Sequence, residues 1–457
     1  MNKIWIKNGL LLCEPGETSP VNGDLLISDG IIRHLGCVPA EETLGSQVMD
    51  ADGLLLMPGF VQAHVHLAQT LFRGLAEGLR LLPWLSTRVW PLEAAHTRET
   101  LRASARLGIA ELLLSGSTAL LDMGSVRDMD VIFDAARDMG IRLCGGKIMM
   151  DRGEDIPPEL SDSSEAALTE SVALMERYHG MENQRLRYAF CPRFLLSCSS
   201  QNLRESLELA AKHKVLWHSH VAEQTAEVEL VRQQTGLSSM AYLDSLGAAD
   251  ARLALAHMIH LDQNERRLLK SMKAAVLHCP ISNTKLGSGV CPVPSYLADG
   301  VPVGLGSDGS PCNNRLNMFG EMRAAAALQN LTCGPGHLPS TSLLRMATSL
   351  GAQAIGFEDC CGKLKIGMRG DLIALDLARI ETLCEGELED GIVHNADARS
   401  LRFVMVDGRM LVENGHLLLA DENTIIAEAR QAMHALKEKA LSFPAERNGI
   451  WKNRGKY

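Results

Sequence analysis

Nowhere does the chain run to the ~18 consecutive apolar residues that a helix needs to cross a bilayer. Lys3 and Lys7 interrupt the apolar segment at the N-terminus, so no signal-peptide core is expected there. Positive charge is not in excess. The 45 Lys and Arg residues against 55 Asp and Glu leave a net charge of −10, which gives nucleic acid or an anionic membrane nothing to attract it. Twelve cysteines are present, yet none stands in a Cys-x-x-Cys pair, which excludes a zinc ribbon. Several of them (Cys144, Cys191, Cys279) sit inside apolar runs, where a thiol acts as a small hydrophobe. Reduced thiols in a cytoplasmic protein are the expectation. No short tandem repeat or low-complexity tract occurs. No Gly-x-Gly-x-x-Gly stretch is read as opening a helix, which counts against a dinucleotide-binding sheet.

What is present is an ordinary globular balance, 46% apolar and 22% charged, in 457 residues. That length suits one large domain with a satellite. Residues 1–56 read as short strands separated by Asn8-Gly9 and Asp29-Gly30, both strong turn signals. The same vocabulary returns in Asp371–Leu375 and in Phe403–Val406 before Asp407-Gly408. The two ends, 1–56 and 361–420, are therefore expected to build one small β-sandwich domain together. Residues 423–441 read as a surface helix within a C-terminal piece, 421–457, whose last part is a basic, mobile tail.

Residues 57–360 alternate β-like runs with amphipathic segments. Runs begin near Ala119, Arg142, Leu186, Val215, Leu253, Ala274 and Val301, and Leu101, Ala105, Ile109 and Leu112 show helical spacing. With the strand at His64 this makes eight parallel strands, the number of a (β/α)8 barrel; a doubly wound open sheet is the alternative. Barrels gather functional residues at the C-terminal ends of their strands. Here those ends carry His64 and His66, Arg193, His218 and His220, His257, His278, and Asp308. Side chains two apart on a strand share a face, so His64 and His66 can hold one ion together, and either His218 or His220 can join them.

Three imidazoles and a carboxylate suit a divalent ion with room for a water, which the ion acidifies toward a nucleophile. A carboxylate near that water can take its proton, and a second acid can protonate the electrophile; Asp308 and Glu223 suit these roles. His64-x-His66, His220-x-x-Glu223, His257 and Ser307-Asp308 resemble the amidohydrolase superfamily, in its branch of purine deaminases and triazine hydrolases. The likeness extends to Ser282-Asn283-x-Lys285-Leu286-Gly287-Ser288-Gly289 and to Gly309-Ser310-x-Cys312-Asn313-Asn314. It implies His64, His66, His220 and Asp308 as metal ligands, His257 as the group steering water, and Glu223 as the proton carrier to the substrate ring. His218 is then a packed or supporting residue. No lysine stands at the fourth strand end to bridge two metals, so one ion per chain is expected, zinc or else iron.

Within that branch, Thr70–Gly74, Trp84-Leu85, Pro91-Leu92-Glu93 and Asn313-Asn314 resemble deaminases of 5′-deoxyadenosine, methylthioadenosine and S-adenosylhomocysteine. Their counterpart of Glu93 binds ribose hydroxyls. Gln69 and Pro192-Arg193-Phe194 instead resemble guanine deaminases, which makes guanine or 8-oxoguanine the second reading and a triazine the third. Arg193 either donates to the substrate as a planar fork or pairs with a structural carboxylate. Lys147 joins Gln69, Glu93, Arg193 and Glu223 among candidate substrate contacts. The expected partner is a small purine, with no nucleic acid and no membrane, in a homo-oligomer. A non-catalytic metal-binding scaffold conflicts with the intact set of Glu223, His257 and Asp308.

Overall fold

Strand Leu55–Pro58 of one sheet runs through Gly59 straight into the first strand of another. The computed structural model describes residues 3–153 and 155–443; the tail expected to be mobile lies outside the described residues. The second sheet contains eight successive parallel strands. They are β1 (Phe60–His66), β2 (Ser117–Asp122), β3 (Arg142–Gly145), β4 (Leu186–Pro192), β5 (Leu216–Val221), β6 (Arg252–His257), β7 (Ala275–His278) and β8 (Val303–Leu305). Just past β8, Asp308 and Gly309 pair with Val65 and His66 of β1, which closes the ring. The expected barrel is therefore present, and the open-sheet alternative falls.

Residue size decides which way each strand faces. Small side chains such as Ala189, Cys191, Ala254 and Ala256 fill the inner cluster. Their neighbours Tyr188, Phe190, Leu253 and Leu255 pack outward with helix residues such as Leu203 and Leu269. This alternation is the period-2 pattern of a strand buried on both faces. The first long helix, Arg98–Leu114, starts from a reciprocal cap between Thr97 and Thr100. It buries Leu101, Ala105, Ile109 and Leu112, as their spacing predicts. Helix Glu422–Ser442 packs on it through Ile425, Ala429, Ala432, Leu436 and Ala440.

The first sheet draws on both chain ends. Its nine strands meet where Leu55–Pro58 pairs antiparallel with Leu372–Leu375. N-terminal Ile4, Ile6 and Leu25 share one core with C-terminal Leu372, Phe403 and Met405. A buried ionic clamp fastens this sheet beneath the barrel. Arg142, at the start of β3 and fully buried, donates to Asp371 Oδ2 at 2.7 Å and Oδ1 at 2.9 Å, and to Asp407 Oδ1 at 2.6 Å. Arg369 also donates to Asp407, at 2.7 Å. Removing one partner of a buried pair leaves the other charge without compensation, at a cost of about 3–5 kcal/mol. Arg142→Ala should lower the urea midpoint by that much stability at an unchanged denaturant slope, and an unshifted midpoint would remove the clamp from this account.

Candidate metal centre and cleft

The ends of β1, β5, β6 and β8 converge on one point inside the mouth of the barrel. Register between β1 and β2 slips between Gln62 and Val65. Such a bulge re-aims the strand end, and His64 and His66 turn toward Asp308. Their Nε2 atoms lie 3.4 and 3.3 Å from Asp308 Oδ1. His220 brings its Nε2 to 3.1 Å from that of His66. One ligand atom from each of His64, His66, His220 and Asp308 falls within 4.8 Å of all the others.

Hydrogen bonds outside this cluster fix which nitrogen is bare on His220 and on His64. His220 Nδ1 donates to the Arg193 carbonyl at 2.6 Å, which leaves Nε2 as a lone pair. His218 Nδ1 donates to the Ala254 carbonyl at 2.8 Å. Its Nε2 is then an acceptor and takes the proton on His64 Nδ1 at 2.9 Å. His64 Nε2 is thereby left bare, buried, and without a hydrogen-bond partner among the described residues. Burial pushes His64 down to about 4 against the pull of Asp308, and burial with the neighbouring imidazoles holds His220 well below the usual histidine range. Inward lone pairs on His64 and His220, with the His66 imidazole and a carboxylate beside them, make up the donor set that zinc and similar ions take, so these residues fit a divalent metal.

The other polar groups stand around the same point. The Asp308 carboxyl is held far below the usual range, because His64 and His66 outweigh its burial. His257 Nδ1 is fixed by Asn283 Oδ1 at 2.8 Å, and its Nε2 lies 3.5 Å from Glu223. Burial opposes charge on His257, but Glu223 and Asp308 prevail and raise it. Burial also raises Glu223, whose Oε1 takes the Ser288 hydroxyl at 3.0 Å. Ala254 and Ala256 face inward, so strict alternation would point His257 at the helices. A left-handed backbone, φ 73°, swings it inward instead. Ala222 and Asp308 share that conformation, at φ 54° and 58°. Each such position costs about 1–3 kcal/mol in a non-glycine residue, and strain of this kind collects at functional sites.

The metal point opens into a cleft of about 430 Å³, counting space open to solvent. Leu81, Trp84, Leu85, Phe194 and Leu286 form its apolar wall, with Gln69, Arg193, Glu223 and Glu227 among its polar groups. Glu93 lies behind this lining. It receives Arg193 at 2.5 and 3.2 Å and Gln69 at 2.8 Å, and borders a neighbouring cavity with His96 and Lys439. Arg193 therefore does pair with a carboxylate, and it lines the cleft as well. The guanidinium and Gln69 outweigh burial and hold the Glu93 carboxyl below its usual range.

Two expectations need correction. Lys147 is absent from the cleft lining. It is fully buried, and its Nζ is taken by Asp162 and Glu170 at 2.9 Å each, because the segment after β3 turns this side chain toward helix Ser164–Tyr178. The glycine pattern does occur, in Gly304-Leu305-Gly306-Ser307-Asp308-Gly309, and it leads into the four-residue helix Ser310–Asn313. Its glycines serve close packing. A Cβ on Gly306 would stand 2.7 Å from the His64 backbone, and one on Gly304 2.6 Å from Ala63.

Sequence reasoning passed over Glu227, which accepts the backbone N–H groups of Ala222, Glu223 and Gln224 at 2.7–3.3 Å. Its place as the third residue of the helix that begins after Gln224 is the capping signal that could have found it.

The chain resembles known proteins along nearly all its length. It is 34% identical over 439 residues to a 5′-deoxyadenosine deaminase of Methanobrevibacter smithii, covering 96% of this chain and 99% of that protein. It is 35% identical over 441 residues to a 5-methylthioadenosine/S-adenosylhomocysteine deaminase of Syntrophomonas wolfei, covering 96% and 100%. The crystal structure of an adenosine deaminase from Xanthomonas campestris with bound Zn matches with a TM-score of 0.88 at 28% identity, over 96% of this chain and 99% of that one. Residues 55–411 match the amidohydrolase family. That span begins at the strand leading into β1, holds the whole barrel and ends within the terminal sheet, and the chain belongs to the amidohydrolase family.

Proposed function

We propose that the chain is a hydrolytic deaminase of an adenine nucleoside of the 5′-deoxyadenosine, methylthioadenosine or S-adenosylhomocysteine type. The observation that carries the reading is a donor set aimed at one point, His64, His66, His220 and Asp308, with Glu223 and His257 beside it in a cleft that has one apolar wall. The relatives named above supply the substrate class.

His64, His66, His220 and Asp308 would hold one divalent ion, zinc in preference to iron. Such an ion supplies Lewis acidity, making a water a usable nucleophile near neutral pH. Asp308 and His257 orient that water, and Asp308 takes its proton. Glu223, whose carboxyl burial shifts toward the protonated form, gives its proton to the purine ring nitrogen as the amino-bearing carbon is attacked, and later carries one to the departing ammonia. Trp84, Leu85 and Phe194 exclude bulk water from the base. Gln69 and Arg193 receive the polar edge of the substrate, and Glu93, which they hold behind the lining, exchanges those bonds for the ribose hydroxyls when a nucleoside binds. Arg193 in the cleft also favours a second reading, deamination of guanine or 8-oxoguanine, whose carbonyl would accept from it. The protein is read as a cytoplasmic homo-oligomer, which sedimentation of purified material checks.

Metal analysis should find about one ion per chain, and His66→Ala and His220→Ala should lose both metal and turnover. His218→Phe removes the acceptor that sets the His64 tautomer, along with the bond to the Ala254 carbonyl, and leaves every ligand in place. Partners behind a ligating histidine contribute about 10–100-fold in metal affinity, so metal competition with a chelator should show a loss of that size. Two ions in the protein as purified, or unchanged affinity in His218→Phe, would count against the arrangement.

Glu223→Gln should keep its metal and lose roughly 10²–10⁴-fold in kcat; near-normal turnover would move the proton to another group.

Substrate choice is tested at Glu93. A hydrogen bond to a charged group contributes about 1.5–3 kcal/mol, or about ten- to a hundredfold. Glu93→Ala should lower kcat/KM for 5′-deoxyadenosine by that factor and spare any activity on free bases. An ammonia-release screen in which guanine or 8-oxoguanine far outruns every nucleoside, and Arg193→Ala abolishes it, would install the second reading.

A further inference from the structure

Only one oxygen of Asp308 faces the histidine cluster. Oδ1 looks toward His64 and His66, at 3.4 and 3.3 Å. Oδ2 is turned away from them, accepts the Ser282 hydroxyl at 2.6 Å, and stands 3.9 Å from His257 Nε2. Beside it, immediately after β7, is Cys279, which is fully buried. One ligand atom from each of His257, Cys279 and Asp308 lies within 4.8 Å of the other two.

We propose that His257, Cys279 and Asp308 form a second metal position, for a thiophilic divalent ion such as zinc or cadmium, with Asp308 shared between the two positions.

Nitrogen, sulfur and oxygen donors at this spacing are the mixture that zinc accepts, and the sulfur selects against magnesium and calcium. The two oxygens of Asp308 point at different donor groups, as those of a carboxylate bridging a pair of ions do. Among the described residues, Cys279 Sγ otherwise has only a long hydrogen-bond contact to the Leu277 carbonyl, at 3.8 Å, which a sulfur–metal bond would replace. As that bond forms, the thiol proton leaves for solvent and no electrons are transferred. His257 and Asp308 both line the cleft, and Cys279 lies behind them. The second ion therefore enters by the mouth that the substrate uses.

An ion held there occupies His257 Nε2, the nitrogen left once Nδ1 is fixed by Asn283, and so engages the residue assigned above to orienting water. The second position is thus inhibitory: one equivalent of metal supports turnover, and excess thiophilic metal suppresses it. Binding stands on the geometry alone, and only the inhibition rests on the proposed role of His257. Binding and turnover are accordingly read separately.

The probe is cadmium, titrated into protein carrying one equivalent of zinc, in a background where exposed Cys37, Cys333 and Cys384 are changed to serine. The first position has no sulfur, so a thiolate-to-cadmium charge-transfer band in the ultraviolet that is lost with Cys279 reports on the second. The band should saturate at one further equivalent, and turnover should fall in step by roughly 10²–10⁴-fold, the worth of an acid–base group. Cys279→Ser should keep the first ion and basal turnover and lose both band and inhibition. Cys279→Ala, which leaves no buried hydroxyl, should do the same, and circular dichroism checks that each variant is folded. A wild-type protein without the band, or a band that survives in both variants, overturns the site. A band that saturates with turnover unchanged confirms the site and overturns the inhibition, together with the role given to His257.

Discussion

The pairing of Asp308 and Gly309 with Val65 and His66 is the constraint on which the rest of the structure depends. It is the seam of the barrel, where the chain comes back to its first strand after some 240 residues of strand and helix. It also brings the aspartate to the two histidines. Closure and donor geometry are therefore one event. The glycines before the seam are part of it, since Gly304 and Gly306 let β8 lie against β1 at a distance that a Cβ would forbid. A weaker seam would open the sheet edge and pull the carboxylate away from the imidazoles together.

Around the seam the protein fixes direction as much as position. Backbone carbonyls of Arg193 and Ala254 set the protons on His220 and His218, and His218 sets His64 in turn. Left-handed backbone at Ala222, His257 and Asp308 turns side chains that ordinary strand geometry would send elsewhere. Such strain persists because the surrounding barrel over-determines it. The ionic clamp under the barrel, with Arg142 at its centre, belongs to that support, since it sits at the opposite end of the strands that carry the site.

Much of this was legible in the sequence. The strand runs are continuous because both faces are buried, and the histidines stand out against apolar neighbours. The metal cluster could be read because each donor ends a strand, and strand ends of a barrel meet. Reading failed where side chains from separate loops choose one another. Nothing in the spacing says that Glu93 closes on Arg193 a hundred residues away, or that Lys147 turns to Asp162 and Glu170. The role of Gly304–Gly309 was also invisible, because one glycine pattern serves a phosphate turn or close strand packing, and only neighbours decide. His257 was read from its place at a strand end and its role from the resemblance, against the parity of its own strand.

The terminal sheet has a consequence in time. Strand Leu55–Pro58 finds its partner, Leu372–Leu375, only after the ribosome has added more than three hundred residues. At about 5–20 residues per second, that is a wait of roughly 15–60 s. Throughout it, one flank of a fully apolar strand is unpaired, a template for other chains. Every copy thus passes through an interval in which its barrel can be assembled while its first sheet is half built. The nascent protein depends on whatever shields that flank until the final strands arrive.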